Sequence, residues 1–294
     1  MPTKKSIILF YLFIVVLTKT SFAGPIGIGT SSENCKVENV TLTSINSLPT
    51  SYNASKCVGV YGANDDSGGL SSPNPNIGQF EDGLLNGQDG FTGLEFITSE
   101  DLQALDPDGL KNDPGWLHLA HFDAEKMDTK YSEVGPAPGG DPSFKFNLGD
   151  FLTLSLTCNN DGDGENNLSD CKSMDWLLTE ESDLFEELDT LLGSKGFDHL
   201  AFSIKAGSEN SGGGFAVYDF NLKDIFANDS NSLDIYTPYE LGGTLNTADF
   251  DNHGVSHLNV WARDPLESLT VPEPSTLMLL AIAFIALRLR ILGQ

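Results

Sequence analysis

The sequence predicts a mainly β protein: an antiparallel, jelly-roll-like β-sandwich with one inserted amphipathic helix. Three observations point there. The 294-residue chain carries 30 Gly and 18 Phe, a composition of turns and bulky strand residues. Its apolar runs are short, alternate with period two and are separated by turn formers. A single internal segment follows helical spacing. Hydrophobic residues make up 39% and charged residues 20%, enough apolar content for a packed core.

Taken in chain order, residues 1–23 read as a secretory signal peptide. Lys4 and Lys5 precede the unbroken apolar run Ile7–Leu17, which is short for a membrane span, and Ser21-Phe22-Ala23 forms a small-x-small cleavage site before Gly24. The body, 24–269, shows no repeat of fixed period and no long linker. Its strand candidates are Cys57–Tyr61, then one or two strands within Phe144–Thr157 around Gly149. His199–Lys205 and Gly214–Phe220 flank a Gly/Ser-rich turn, and Gly242–Thr247 and Val255–Arg263 complete the set. Alternation places Leu200, Phe202 and Ile204 on one face of their strand, and Phe215, Val217 and Asp219 on one face of the next. Leu184, Phe185, Leu188, Leu191 and Leu192 follow helical spacing, which predicts an amphipathic helix over Glu180–Leu192. Thr179 or Ser182 is its cap and Gly193 its stop.

At the C-terminus, Val271-Pro272-Glu273-Pro274-Ser275 leads into the apolar run Thr276–Leu287, followed by Arg288 and Arg290. The prolines hold the peptide extended, a helix starts at Ser275 or Thr276, and the arginines favour a cytoplasmic end. With an exported N-terminus, this orientation leaves the body outside and a short tail inside. The domain reading is therefore 1–23 signal peptide, 24–269 extracytoplasmic domain, and 270–294 transmembrane helix with basic tail.

The Pro-Glu-Pro segment, single helix and basic tail together resemble the PEP-CTERM sorting signal of Gram-negative bacteria. That resemblance implies recognition and cleavage by an exosortase, a membrane-embedded cysteine transpeptidase. It implies passage through the inner membrane as an anchored intermediate, then delivery to the cell surface or extracellular matrix. A plain C-terminal anchor with a proline linker is the competing reading. The body also resembles a class of PEP-CTERM surface proteins at four places. These are Cys57-Val58-Gly59 followed by Asn64-Asp65; Asn112-Asp113-Pro114-Gly115-Trp116; Phe202–Gly207 followed by Gly214–Tyr218; and Val255–Leu258 running to Arg263-Asp264. The Asn159–Leu192 region departs from that pattern and reads as an insertion. The resemblance implies a β-sandwich without catalytic activity and an association with the surface or with exopolysaccharide.

Charge narrows the partners further. Lys+Arg 16 against Asp+Glu 42 gives a net charge of −26, which argues against nucleic acid and against adsorption to an anionic membrane surface. Removing both ends takes five of the basic residues (Lys4, Lys5, Lys19, Arg288, Arg290) and leaves the body more acidic still. The four cysteines of this exported chain allow three pairings. Joining sequence neighbours favours Cys35–Cys57 and Cys158–Cys171. No CxxC is present to support a zinc site.

Between the second cysteine pair, Asn159, Asp161, Asp163, Glu165, Asn167 and Asp170 approximate the oxygen-ligand spacing of a calcium loop, with Gly164 at the sharp turn. Asn at the first position and Asp at the last depart from that pattern. An acidic hairpin tip held by a disulfide accounts for the same residues without metal. If calcium binds, its role is structural. Asp106, Asp108, Asn112 and Asp113 read as turn formers, as do Asp249, Asp251 and His253. No G-x-S-x-G elbow, H-E-x-x-H or P-loop occurs. His118-x-x-His121 and His253-x3-His257 have metal-like spacing, but on a strand such spacing does not converge. Trp116, Trp176 and Trp261 are expected in the core. On an exposed concave face they would instead favour a carbohydrate-binding or adhesive module. The expected function is that of a non-enzymatic surface or matrix protein.

Overall fold

The computed structural model describes residues 35–44, 51–65, 72–135, 145–159, 170–180, 196–207, 213–227 and 240–263. The strands are β1 (Thr41–Ser44), β2 (Tyr52–Asn53), β3 (Lys56–Tyr61), β4 (Trp116–Asp123), β5 (Asp128–Tyr131), β6 (Glu133–Val134), β7 (Phe146–Asn147), β8 (Leu152–Cys158), β9 (Ser173–Glu180), β10 (His199–Ala206), β11 (Gly214–Asn221), β12 (Leu241–Asn246) and β13 (Val255–Arg263). One α-helix, α1 (Leu222–Ala227), follows β11. A six-stranded sheet has the order β3-β11-β10-β13-β4-β5, a five-stranded sheet the order β2-β1-β12-β9-β8, and β6-β7 forms a small pair. Neighbouring strands run antiparallel.

Strand alternation builds the sandwich core. Leu200, Phe202 and Ile204 of β10, Ala216, Tyr218 and Phe220 of β11, and Leu258, Val260 and Ala262 of β13 are buried in one cluster. Leu241 and Leu245 of β12, Met174, Trp176 and Leu178 of β9, and Leu152 and Leu154 of β8 belong to the same cluster. The two sheets therefore face each other, and the Trp176 ring meets Phe202 across them at 4.6 Å between centroids.

The opposite face of the six-stranded sheet is also covered. Phe215 and Val217 alternate outward, as the sequence predicts, and meet Ala201, Trp116 and Trp261. An arm spanning residues 77–115 adds Leu84, Leu85, Phe91 and Ile97 to make a second apolar cluster. Every residue of β10 is buried as a result. A strand covered on both faces needs few charges, so those it does carry call for an explanation.

Both expected disulfides are present: Cys35–Cys57, with S–S 2.17 Å, and Cys158–Cys171, with S–S 2.06 Å. The Phe144–Thr157 reading resolves into β7, a short 3-10 turn at Leu148–Asp150 and β8. Two readings need correction. Residues 173–180 are no insertion, because β9 sits between β12 and β8 and its Trp176 is central to the core. Thr179 and Glu180 end that strand rather than starting a helix, since their backbone pairs with Thr153 and Leu152. The remainder of the expected helix, 181–192, lies outside the described residues, as do 1–34 with the signal peptide and 264–294 with the tail.

Candidate functional site

The described part of the protein concentrates its unusual chemistry on the outer face of the six-stranded sheet. Asp65, fully buried, stands at the centre. Its Oδ1 accepts from His257 Nε2 at 2.6 Å, and its Oδ2 accepts from Asn259 Nδ2 at 3.0 Å and from the Ser203 hydroxyl. With its nitrogen committed to Asp65, Asn259 turns Oδ1 toward two imidazoles. His121 Nδ1 lies 2.7 Å from that oxygen and His118 Nε2 3.2 Å. Both ring atoms must therefore carry the proton and donate. His118 Nδ1 is then the acceptor for the Ser132 hydroxyl at 2.5 Å.

The electrostatics follow from burial and these bonds. Burial pushes the Asp65 carboxyl upward, but His257, through its hydrogen bond and charge, together with Ser203 and Asn259, outweighs it. The group is held below the ordinary carboxylate range. Burial lowers His118 to about 3, so its ring stays neutral. A second buried pair, His199 Nδ1 with Asp219 Oδ1 at 2.9 Å, lies on the same sheet, and burial raises the Asp219 carboxyl despite its partner.

The two histidines of β4 meet one amide because the strand is irregular. The β4–β13 register shifts between Val260 and Trp261, where Val260 faces Ala120 but Trp261 faces His118. The extra residue, Leu119, restores His118 and His121 to one face. The expectation that three-residue spacing fails to converge on a strand is thus corrected. His257 joins them, with its ring 5.2 Å from that of His121. His253 is elsewhere, against Gly207 in the turn before β13. Among the described residues, no group of three or more His, Cys, Asp or Glu has the geometry of a metal site.

The short motifs of the body carry buried polar bonds that shape the arm, tie it to β13 and hold the segment after β3. Asp113 is buried and accepts backbone N–H groups from Phe80 at 2.9 Å and Leu105 at 2.7 Å. Lys205, also buried, donates to the Ala63 carbonyl at 3.0 Å. Arg263 joins Asp198 at 2.6 Å and the Pro114 carbonyl at 2.9 Å. Gly115, at φ +85°, donates its N–H to Gly78 O across a contact with no room for a side chain.

Two asparagines complete the edge of β4. Strand β5 pairs only with Ala120–Asp123, which leaves the N-terminal half of that edge without a strand partner. Asn86 bonds Trp116 N and O at 3.0 and 2.8 Å, and Asn76 bonds His118 N and O at 2.9 and 2.9 Å. Each amide replaces a missing neighbour strand. No residue pattern in the sequence marks either role.

Beside His121 the sheet opens into a cleft of about 490 Å³, walled by Lys130, Tyr131, Glu133, Lys145 and the 72–75 segment. The three tryptophans contribute nothing to an exposed platform: Trp116, Trp176 and Trp261 are 1%, 2% and 0% exposed. Of the calcium-loop residues, Asn159 and Asp170 are described and Asp161, Asp163, Glu165 and Asn167 lie outside the described residues. Asn159 donates its amide nitrogen to Asp175 at 2.7 Å, which commits the nitrogen and not the oxygen. Asp106, Asp108 and Asp113 serve the turns of the arm, as read from the sequence.

The sorting residues Val271, Pro272, Glu273, Pro274, Ser275, Arg288 and Arg290 lie outside the described residues, so their reading rests on comparison. Residues 270–291 match the family model of the PEP-CTERM protein-sorting motif. The chain carries a PEP-CTERM motif. Such a motif implies an exported protein that an exosortase sorts through a membrane-anchored intermediate to the outside. The match covers the Pro-Glu-Pro segment, the apolar run and both arginines. No curated protein and no solved structure matches the chain.

Proposed function

We propose that the body is a non-enzymatic component of the cell surface or exopolysaccharide matrix, delivered there by exosortase processing of its PEP-CTERM tail. The observation that carries this reading is the motif at 270–291; residues 1–23, read as an export-type leader, accord with it. The structure supports it in two ways. Asp65, Ser203 and His257 are wired so that the hydroxyl donates to the carboxylate, not to the imidazole, which is the wrong order for activating a nucleophile. Their polar atoms fasten the segment after β3, which carries Asp65, to β10 and β13. Two disulfides and a strongly acidic composition suit a soluble domain in an oxidising compartment.

The test is fractionation of cells producing the wild-type chain or the Pro272→Ala/Glu273→Ala/Pro274→Ala variant. Wild type belongs in the surface and extracellular fractions, and the variant stays with the inner membrane. Identical distribution of the two overturns the reading. A structural calcium ion at Asn159, Asp161, Asp163, Glu165, Asn167 and Asp170 belongs to the same proposal. The Cys158–Cys171 bridge supports it by closing that loop at the β8–β9 hairpin.

A further inference from the structure

The cleft beside β4 and β5 stands out against the charge of the molecule. The chain is −26 overall, and five of its ten described cations are engaged elsewhere. Lys126 pairs with Asp123, Lys223 and Arg263 with Asp198, and Lys56 and Lys205 bond carbonyls. Two lysines nevertheless face one cleft of about 490 Å³, a volume within the range of small-ligand sites. Lys130 makes no ion pair among the described residues. Lys145 meets Glu133 at 2.9 Å in a pair that is half exposed on both sides, an arrangement that holds little energy against competition.

The floor of the cleft is a built structure rather than a chance surface. His121 and His118 both line it. Each is fixed from behind by Asn259, itself fixed by the buried Asp65. That relay places a proton on His121 Nδ1, so that Nε2 is the ring atom left to meet a hydroxyl. Ser72 and Asn74 add polar groups, and Pro73 and Pro75 add apolar ring surface.

We infer that this cleft binds a carboxylate-bearing, hydroxyl-rich ligand: a uronic acid unit of a polysaccharide. The carboxylate takes the two lysines, and the hydroxyls take His121 and Glu133. A phosphate suits the site less well. Glu133 repels a dianion more than a monoanion, and among the described residues no arginine lines the cleft to hold one. The polysaccharide source of the ligand rests on the matrix reading proposed above, whereas the preference for a carboxylate rests on the cleft alone, whether or not the tail is processed.

The test is calorimetric titration of the purified full-length chain in detergent, at neutral pH and low salt. Trigalacturonate, galacturonate, neutral galactotriose and inorganic phosphate are titrated separately. Trigalacturonate is expected to bind more tightly than the monomer, and galactotriose to give no measurable binding. The Lys130→Gln/Lys145→Gln variant should lose about tenfold in trigalacturonate affinity, the effect of one charge-assisted contact. A control with the same charge change, Lys111→Gln/Lys126→Gln, should lose much less. His121→Phe, which keeps a ring but removes the acceptor, should weaken binding as well. Equal binding of galactotriose, equal loss in the control, stronger binding of phosphate, or no binding of either uronate would each overturn the inference.

Discussion

Replacing Asp65 with Asn tests the load carried by the outer-face network. The substitution keeps size and shape and removes the charge. In the folded protein that carboxylate accepts from His257 at 2.6 Å, from Asn259 at 3.0 Å and from Ser203, with no exposure to water. An amide nitrogen in its place confronts donors with a donor. Hydrogen bonds to a buried charge contribute about 1.5–3 kcal/mol each, and breaking a buried ion pair from one side costs about 3–5 kcal/mol. A loss of about 3–5 kcal/mol is therefore expected, since the three bonds share one carboxylate and do not add.

The assay is guanidinium unfolding with disulfides intact, followed by tryptophan fluorescence, for which three buried indoles provide the signal. The midpoint should fall with the slope unchanged. A double-mutant cycle with His257→Gln should show coupling above about 1 kcal/mol. A loss below about 1 kcal/mol, or additivity in the cycle, would mean that the Asp65 carboxylate does not hold the network together. The carboxyl lies below its ordinary range. Its contribution is therefore complete above the unfolded pKa, unchanged between pH 7 and 5, and lost only as pH falls through the folded value.

Three further outcomes follow from the same structure. His118 stays neutral down to about 3, whereas the unfolded ring takes a proton near 6.5, so stability should fall as pH drops below that value. The loss is about 2 kcal/mol by pH 5 from this ring alone. Asp219 and Asp82, both raised by burial, act in the opposite sense at lower pH. A His118→Gln variant should show a flatter pH profile in the same unfolding assay, and an unchanged profile would contradict the assignment. Replacing Cys158 and Cys171 with Ser opens a loop of 13 residues and should lower stability by about 3 kcal/mol, read from the denaturation midpoint. Calcium should raise the melting temperature of the wild type but not of the Asp161→Ala/Asp163→Ala variant. The same rise in both would exclude the loop as the site.

The sequence made the sandwich strands legible wherever alternation was clean. β10, β11 and β13 place their apolar residues as period two demands. Cysteine proximity along the chain was likewise a sufficient guide to both bridges. Other features depend on contacts distant in sequence. β9 reads as part of an insertion until Leu241–Asn246 lies beside it. The convergence of His118 and His121 needs a bulge that no Gly or Pro announces. Asp65 is 194 residues from Asn259, so its place in a short motif says nothing of the amide and imidazoles it orders. The asparagines that complete the β4 edge look like any turn residue. Their role arises because β5 is too short to cover the strand.

The function proposed for the body depends on the PEP-CTERM tail at 270–291 working as a sorting signal. It is tested most directly by the intact mass of the protein, recovered from wild-type cells and from a strain lacking the exosortase. The residues beyond the Pro272–Pro274 segment should be lost in wild-type cells and retained in the deletion strain. The same C-terminus in both strains would contradict it and make the tail an ordinary membrane anchor.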